Sequence, residues 1–121
     1  MIYNNENSML LGRQKVLTMV KEVQTTAEFK TLISENAIVV VDFYATWCGP
    51  CMSFAPKFEA LSAEFPNILF IKVNVDQNSE LQALYSITSI PSFKIFKDGA
   101  VVDSCTGAND AILRSTIKKH V

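Results

Sequence analysis

Two of the chain's three cysteines, Cys48 and Cys51, lie three residues apart in Trp47-Cys48-Gly49-Pro50-Cys51. Paired thiols at this spacing can close and reopen a disulfide, or supply half of a zinc site. Zinc needs four ligands, and the other soft ligands, Cys105 and His120, are remote and not in pair spacing. Redox chemistry is therefore the better fit. The motif follows a β-branched apolar run, Ile38-Val39-Val40-Val41-Asp42-Phe43-Tyr44, and precedes apolar residues at helical spacing, Phe54, Phe58, Leu61 and Phe65. A thiol at that junction sits at a helix N-terminus, whose free N–H groups favour the thiolate. Cys48, at the mouth of the helix, is expected to be the exposed nucleophile. Cys51, about one turn in, is expected to be shielded and to act second, on the mixed disulfide. Gly49 keeps the turn uncluttered, and Pro50 suits a first helical turn that needs no N–H partner there. Trp47 would set a flat apolar ring beside the sulfurs.

Asp42 is the one charge inside the run before the motif. Its neighbours Val40, Val41, Phe43 and Tyr44 place it in mid-strand, where a carboxylate is costly unless it has a task. The elements that must position these residues recur in order. Val20 to Val23 reads as a short strand. Thr25-Thr26-Ala27-Glu28 has the spacing of a capping box, with Phe29, Leu32 and Ile33 behind it at helical spacing. The helix after Cys51 contains Pro56, which should kink it. Residues 68–75 form a buried strand and residues 79–85 a short helix. Two closing strands flank Lys97-Asp98-Gly99, a strong hairpin signal. Asn109 can cap a last helix carrying Ile112, Leu113, Ile117 and Val121. The order β-α-β-α-β-α-β-β-α implies an α/β fold: a parallel core, an antiparallel hairpin, and helices on both faces.

The chain has 121 residues, 49% of them hydrophobic, enough for one domain with its own core. Its 11 basic and 12 acidic residues leave a net charge of -1, which argues against a dedicated nucleic-acid or membrane-surface binder. No apolar run approaches the ~20 residues needed to span a bilayer. A boundary falls near Met19: residues 1–18 lack periodicity and read as a disordered N-terminal extension, and residues 19–121 as the domain. With no secretory signal pattern at the start and no retention signal at Lys118-Lys119-His120-Val121, a cytoplasmic protein is expected.

From Val20 onward the chain resembles the thioredoxins. The likeness rests on the stretch from Val40 to Cys51, on Val73-Asn74-Val75-Asp76, Ser89-Ile90-Pro91-Ser92 and Phe96-Lys97-Asp98-Gly99, and on Gly107-Ala108. The resemblance implies the thioredoxin fold, a mixed five-stranded central sheet flanked by four helices. It implies a protein-disulfide reductase that binds no cofactor itself and is recycled by a separate thioredoxin reductase at the expense of NADPH. Disulfide-containing clients such as peroxiredoxins and ribonucleotide reductase, and a monomeric state, follow from the same likeness. By resemblance, Ile90-Pro91 is a cis peptide bond beside the sulfurs, and its backbone can pair with an extended client segment. Trp47, Gly49, Pro50, Ile90, Pro91, Gly107 and Ala108 would then form a shallow client-binding surface. Asp42 would lie beneath the resolving Cys51 as its proton acceptor, with Lys72 close by, and Asp76 would stand near Trp47.

Two other functions compete. A disulfide isomerase-like oxidase domain usually carries His at the position of Pro50, with a signal peptide and a retention signal. A non-catalytic subunit of this fold need not keep both cysteines. The Gly49-Pro50 pair also departs from the Pro-Tyr usual between glutaredoxin cysteines. Cys105 reads as a structural thiol on an edge strand and His120 as a solvated helix end.

Overall fold

The structure is a computed structural model that describes residues 20–121 throughout and, before them, the backbone of residues 8–11 and 14–17. Those two segments, β1 (Ser8–Leu11) and β2 (Gln14–Leu17), pair antiparallel, with Ser8 opposite Leu17 and Leu11 opposite Gln14. The sequence reading places no element there, because four residues are too few for strand alternation to register. The expected disorder of residues 1–18 otherwise falls on residues outside those described.

The domain itself is built on β4 (Ile38–Tyr44), whose five central residues, Val39 to Phe43, are all buried. A strand apolar on both faces must be covered on both faces, so it takes the middle of the sheet. The order is β3 (Val20–Val23), β5 (Leu69–Asn74), β4, β6 (Ser92–Lys97), β7 (Ala100–Thr106). The first three run parallel, and β6 and β7 add antiparallel pairs. This is the mixed five-stranded sheet that the resemblance implies. At the turn between β6 and β7, Asp98 (φ 52°) and Gly99 (φ 84°) adopt left-handed backbone, as a tight Asp-Gly hairpin requires.

Four helices cover the sheet. α1 (Thr26–Glu35) and α3 (Ser79–Leu84) bury Phe29, Ile33 and Leu81 on the face that carries Val39, Val41 and Phe43. α2 (Gly49–Glu64) and α4 (Asp110–Lys118) bury Phe54, Phe58, Leu61, Leu113 and Ile117 on the face of Val40 and Phe70. The capping chemistry read from the sequence is present. Thr25 Oγ1 accepts the Glu28 N–H at 3.1 Å, and Asn109 Oδ1 accepts the Ile112 N–H at 3.0 Å. Glu28 reaches back one residue further than the box predicts, taking the Gln24 N–H at 3.0 Å. α2 runs through Pro56 as one continuous helix. Val121 does not continue α4. The helix ends at Lys118 and Val121 is exposed.

What this packing does for the site is hold α2 still. Phe54 and Phe58 meet Phe93 with ring centroids 5.2 and 5.7 Å apart, and Phe58 meets Phe70 at 5.3 Å. Each such ring pair contributes roughly 0.5–1.5 kcal/mol beyond the apolar area it buries. The helix N-terminus is thereby fixed over the carboxyl ends of the parallel strands, where α/β sheets place their sites.

Candidate active site

Cys48 occupies the N-cap of α2 in extended backbone, and its Sγ accepts the Cys51 N–H at 3.2 Å. That bond places a sulfur where helix amides gather partial positive charge, the arrangement that stabilises a thiolate once the disulfide opens. The two cysteines are joined as a disulfide, with Cα atoms 5.3 Å apart. The exposed nucleophile read from the sequence needs correction in degree. Cys48 is 5% exposed and Cys51 1%, so both sulfurs are largely covered in this oxidised form. Cys48 is the more open residue of the two, and its sulfur is flanked by the Ile90 carbonyl oxygen at 3.9 Å.

Trp47 is 71% exposed, and its Nε1–H donates to Asp76 Oδ2 at 2.8 Å. Asp76 is itself fixed, since its N–H donates to Asn74 Oδ1 at 3.0 Å. The Trp47 ring is thus displayed at the surface while its one polar atom is satisfied. Ile90-Pro91 is cis. The Gly107 N–H donates to the Pro91 carbonyl at 2.9 Å, tying the loop after β7 to the loop before β6. Gly107 has φ 91°, which disfavours any side chain. Gly49 has no such constraint, and a Cβ there would project into open space. The packing of the turn therefore does not require glycine there. Pro50 and Ala108 share a shallow cavity of about 130 Å³ with Ser53, Phe54 and Lys57. A larger hollow of about 230 Å³, lined by Ile38, Phe65 and Val121 among others, lies at the amino end of β4, away from the sulfurs.

Asp42 is buried, and its Oδ1 has no hydrogen-bond partner. Burial pushes its carboxyl from 3.8 up to about 7, with the Lys72 ammonium pulling down and the Glu22 carboxylate pushing up. Strand alternation puts Asp42 on the face of Val40, the face α2 covers. Lys72 stands directly opposite Asp42 in the ladder, yet its ion pair is with Glu22 Oε1, at 3.9 Å. Glu22 Oε1 also accepts the Tyr44 hydroxyl at 2.7 Å. The sequence reading missed Glu22 and Tyr44. Tyr44 was reachable, because two residues on from Asp42 it must share its face. Glu22 sits on an edge strand whose register only the fold supplies.

Two further residues were read as bystanders. Cys105 is a half-buried free thiol packed against the α2/α4 side of the core, and burial pushes its pKa up, which makes it a poorer nucleophile. His120 is not simply solvated. Its Nε2 lies 2.9 Å from Asp103 Oδ2, joining the end of the chain to β7.

The sequence profile described as Thioredoxin matches residues 20–119. Thioredoxin 1 of Plasmodium falciparum is 48% identical over 102 residues, covering 84% of this chain and 98% of that one. The X-ray structure of Fasciola hepatica thioredoxin superposes with a TM-score of 0.81 at 48% identity, over 84% of this chain and 99% of that one. A third structure, with TM-score 0.80 and 33% identity over 84% and 98% of the two chains, comes from work on thiol resolution in yeast mitochondrial 1-Cys peroxiredoxin via glutathione/thioredoxin systems. Profile, sequence and fold converge on one answer around a disulfide-forming cysteine pair at a helix N-terminus: the chain belongs to the thioredoxin family of thiol–disulfide oxidoreductases.

Proposed function

We propose that the chain is a general protein-disulfide reductase in which Cys48 attacks, Cys51 resolves and Asp42 takes the proton of Cys51. The observation that carries this reading is the placement of the Cys48 sulfur on the Cys51 N–H at the N-cap of α2. In the reduced protein the Cys48 thiolate attacks one sulfur of a client disulfide. A Cys48–client bond forms, and the other client sulfur leaves as thiolate. The Cys51 S–H gives its proton to the Asp42 carboxylate, and the resulting thiolate attacks the Cys48 sulfur. The Cys48–Cys51 disulfide closes and the second client sulfur leaves, so the client gains two electrons and the protein loses two. Asp42 suits the task because a base works best with a pKa near the operating pH.

The client surface consists of exposed Trp47, Gly49, Pro50, Gly107 and Ala108 around half-buried Ile90 and buried Pro91. Small and shallow, it holds many clients weakly, and the Ile90 backbone beside the Cys48 sulfur offers an extended segment a place to pair. By family likeness, a thioredoxin reductase returns the electrons from NADPH, no cofactor is bound by this chain, and the clients include peroxiredoxins and ribonucleotide reductase. The peroxiredoxin context of the yeast structure supports the first of these clients. A monomer acting in the cytoplasm completes the reading; among the described residues no helix is long and apolar enough to cross a membrane. Steady NADPH oxidation with a thioredoxin reductase and insulin tests the recycling. No oxidation above the reductase blank would refute it.

The division of the chain near Met19 carries its own expectation. Residues 20–121 contain the whole five-stranded sheet and all four helices. Removing residues 1–18 should therefore change stability by no more than about 0.5 kcal/mol and leave insulin reduction intact. Paired thermal melts decide this. A loss above about 2 kcal/mol would mean that the segment docks on the domain.

A further inference from the structure

Three charged residues stand in one row across the parallel strands. Glu22 on β3 is opposite Lys72 on β5, and Lys72 is opposite Asp42 on β4. The central ammonium could pair with either carboxylate. It lies 3.9 Å from Glu22 Oε1 and makes no ion pair with Asp42. The Tyr44 hydroxyl fixes that choice by donating to the same Glu22 oxygen at 2.7 Å, while the Lys72 ammonium lies 5.6 Å from the centroid of the Tyr44 ring. The other Glu22 oxygen is closed off from solvent without a partner, as is Oδ1 of Asp42. Two carboxyls on one sheet face thus share one cation, and the outer one holds it.

We propose that Glu22 is a positioning residue for client reduction: held by the Tyr44 hydroxyl, it takes the close ion pair of Lys72 and so weakens the hold of that ammonium on the buried Asp42 carboxyl, which remains basic enough to take the proton of Cys51. The proposal deepens, and rests on, the reading of Asp42 as that proton acceptor. A carboxylate neutralised by a close ammonium would be a weaker base. The remaining groups facing Asp42 do not replace Glu22 in this role. Tyr44 shares its strand face, and burial followed by the Glu22 hydrogen bond pushes its hydroxyl well up, so it stays neutral. On β6 the residue opposite Asp42 is Phe93, and Lys94 alternates to the other face. The charges that act on the Asp42 carboxyl are those of Lys72 and Glu22. The direction agrees with the electrostatics of the site, where the Glu22 charge raises the Asp42 carboxyl and the Lys72 charge lowers it.

Glu22→Gln removes the outer charge at nearly constant shape and frees Lys72 for Asp42. Glu22→Asp keeps the charge. The readout is the carboxyl carbon of Asp42, followed by NMR across pH 4–10 in the oxidised full chain labelled at aspartate. The Asp42 midpoint should fall by about half to one pH unit in Glu22→Gln, as expected for a charge two strands away, roughly 10 Å, at an effective dielectric near 20 with partial screening. It should stay near the parent value in Glu22→Asp. Insulin reduction should follow: in Glu22→Gln the pH profile moves to lower pH and its plateau drops, because a weaker base is deprotonated earlier but pulls the proton less. An unchanged midpoint in Glu22→Gln would overturn the role of Glu22. An equal fall in Glu22→Asp would overturn it too, since packing and not charge would then be responsible. A normal reduction rate in Asp42→Asn would instead overturn the base reading beneath it, and the carboxyl titration separates the two failures because it does not depend on catalysis.

Discussion

Replacing Cys51 with serine should stop turnover while leaving the first step intact. Cys48 keeps its place at the N-cap of α2, and the backbone N–H of residue 51 still points at its sulfur. It can therefore attack a client disulfide and form the mixed species. Serine cannot close that species, and only an external thiol can reopen it. A resolving thiol held one turn away acts as an intramolecular reactant, for which effective concentrations of roughly 10⁵ M and above are attainable. A millimolar external thiol is no match for it, so catalytic insulin reduction should fall by roughly two to three orders of magnitude or more. A covalent adduct should accumulate at one client per chain. Peptide mapping of that adduct is the check. A client bonded to Cys105 would contradict the assignment, and burial already disfavours the Cys105 thiolate.

Asp42→Asn should make the protein more stable and slower. The folded protein holds this carboxyl's proton up to a pH of about 7, through burial, against 3.8 for the ordinary group. The unfolded chain thus releases the proton first. Stability contributed by the protonated carboxyl is complete below about pH 4 and is lost as pH climbs from the unfolded value to the folded one. The gap corresponds to a cost on the order of 4–5 kcal/mol above pH 7, at about 1.4 kcal/mol per pH unit. Asparagine has the shape of the neutral acid and never ionises. The variant should match the parent below about pH 4 and exceed it at pH 8, by about 2 kcal/mol or more in denaturant titrations. Client reduction should fall at least about tenfold near neutral pH. A positioned base contributes typically 10²–10⁴, and solvent and the departing client thiolate can recover part of that. A gain in stability paired with a loss of activity identifies a group kept for function against its folding cost. A variant that is less stable at pH 8 and reduces insulin normally would make Asp42 a structural residue.

Much of this was legible before any coordinates. The run from Val39 to Phe43 could only be a strand buried on both faces, and it takes the centre of the sheet. Asp-Gly at 98–99 and the caps at Thr25 and Asn109 stand where local chemistry put them. The cysteine pair was legible for the same reason: strand, turn and helix signals meet at one point in sequence. What escaped was long-range. The row of Glu22, Lys72 and Asp42 depends on the register of three strands drawn from distant parts of the chain. Local alternation gives the face of each residue but not its neighbour across the ladder. The near-complete cover over Cys48 is likewise tertiary, for its flank comes from Ile90, 42 residues on. His120 looked like a free helix end because its partner, Asp103, lies on a strand beside it in space and 17 residues away in sequence.

The most direct test of the account is catalysis by the pair itself, with dithiothreitol in place of any reductase. Insulin reduction is followed with the parent chain, Cys48→Ser and a Cys105→Ser control. The account predicts rapid turnover by the parent and by Cys105→Ser, and only the uncatalysed dithiothreitol rate with Cys48→Ser. Turnover by Cys48→Ser close to that of the parent would contradict it, because the electrons would then reach the client by a route that does not pass through the helix-capping sulfur.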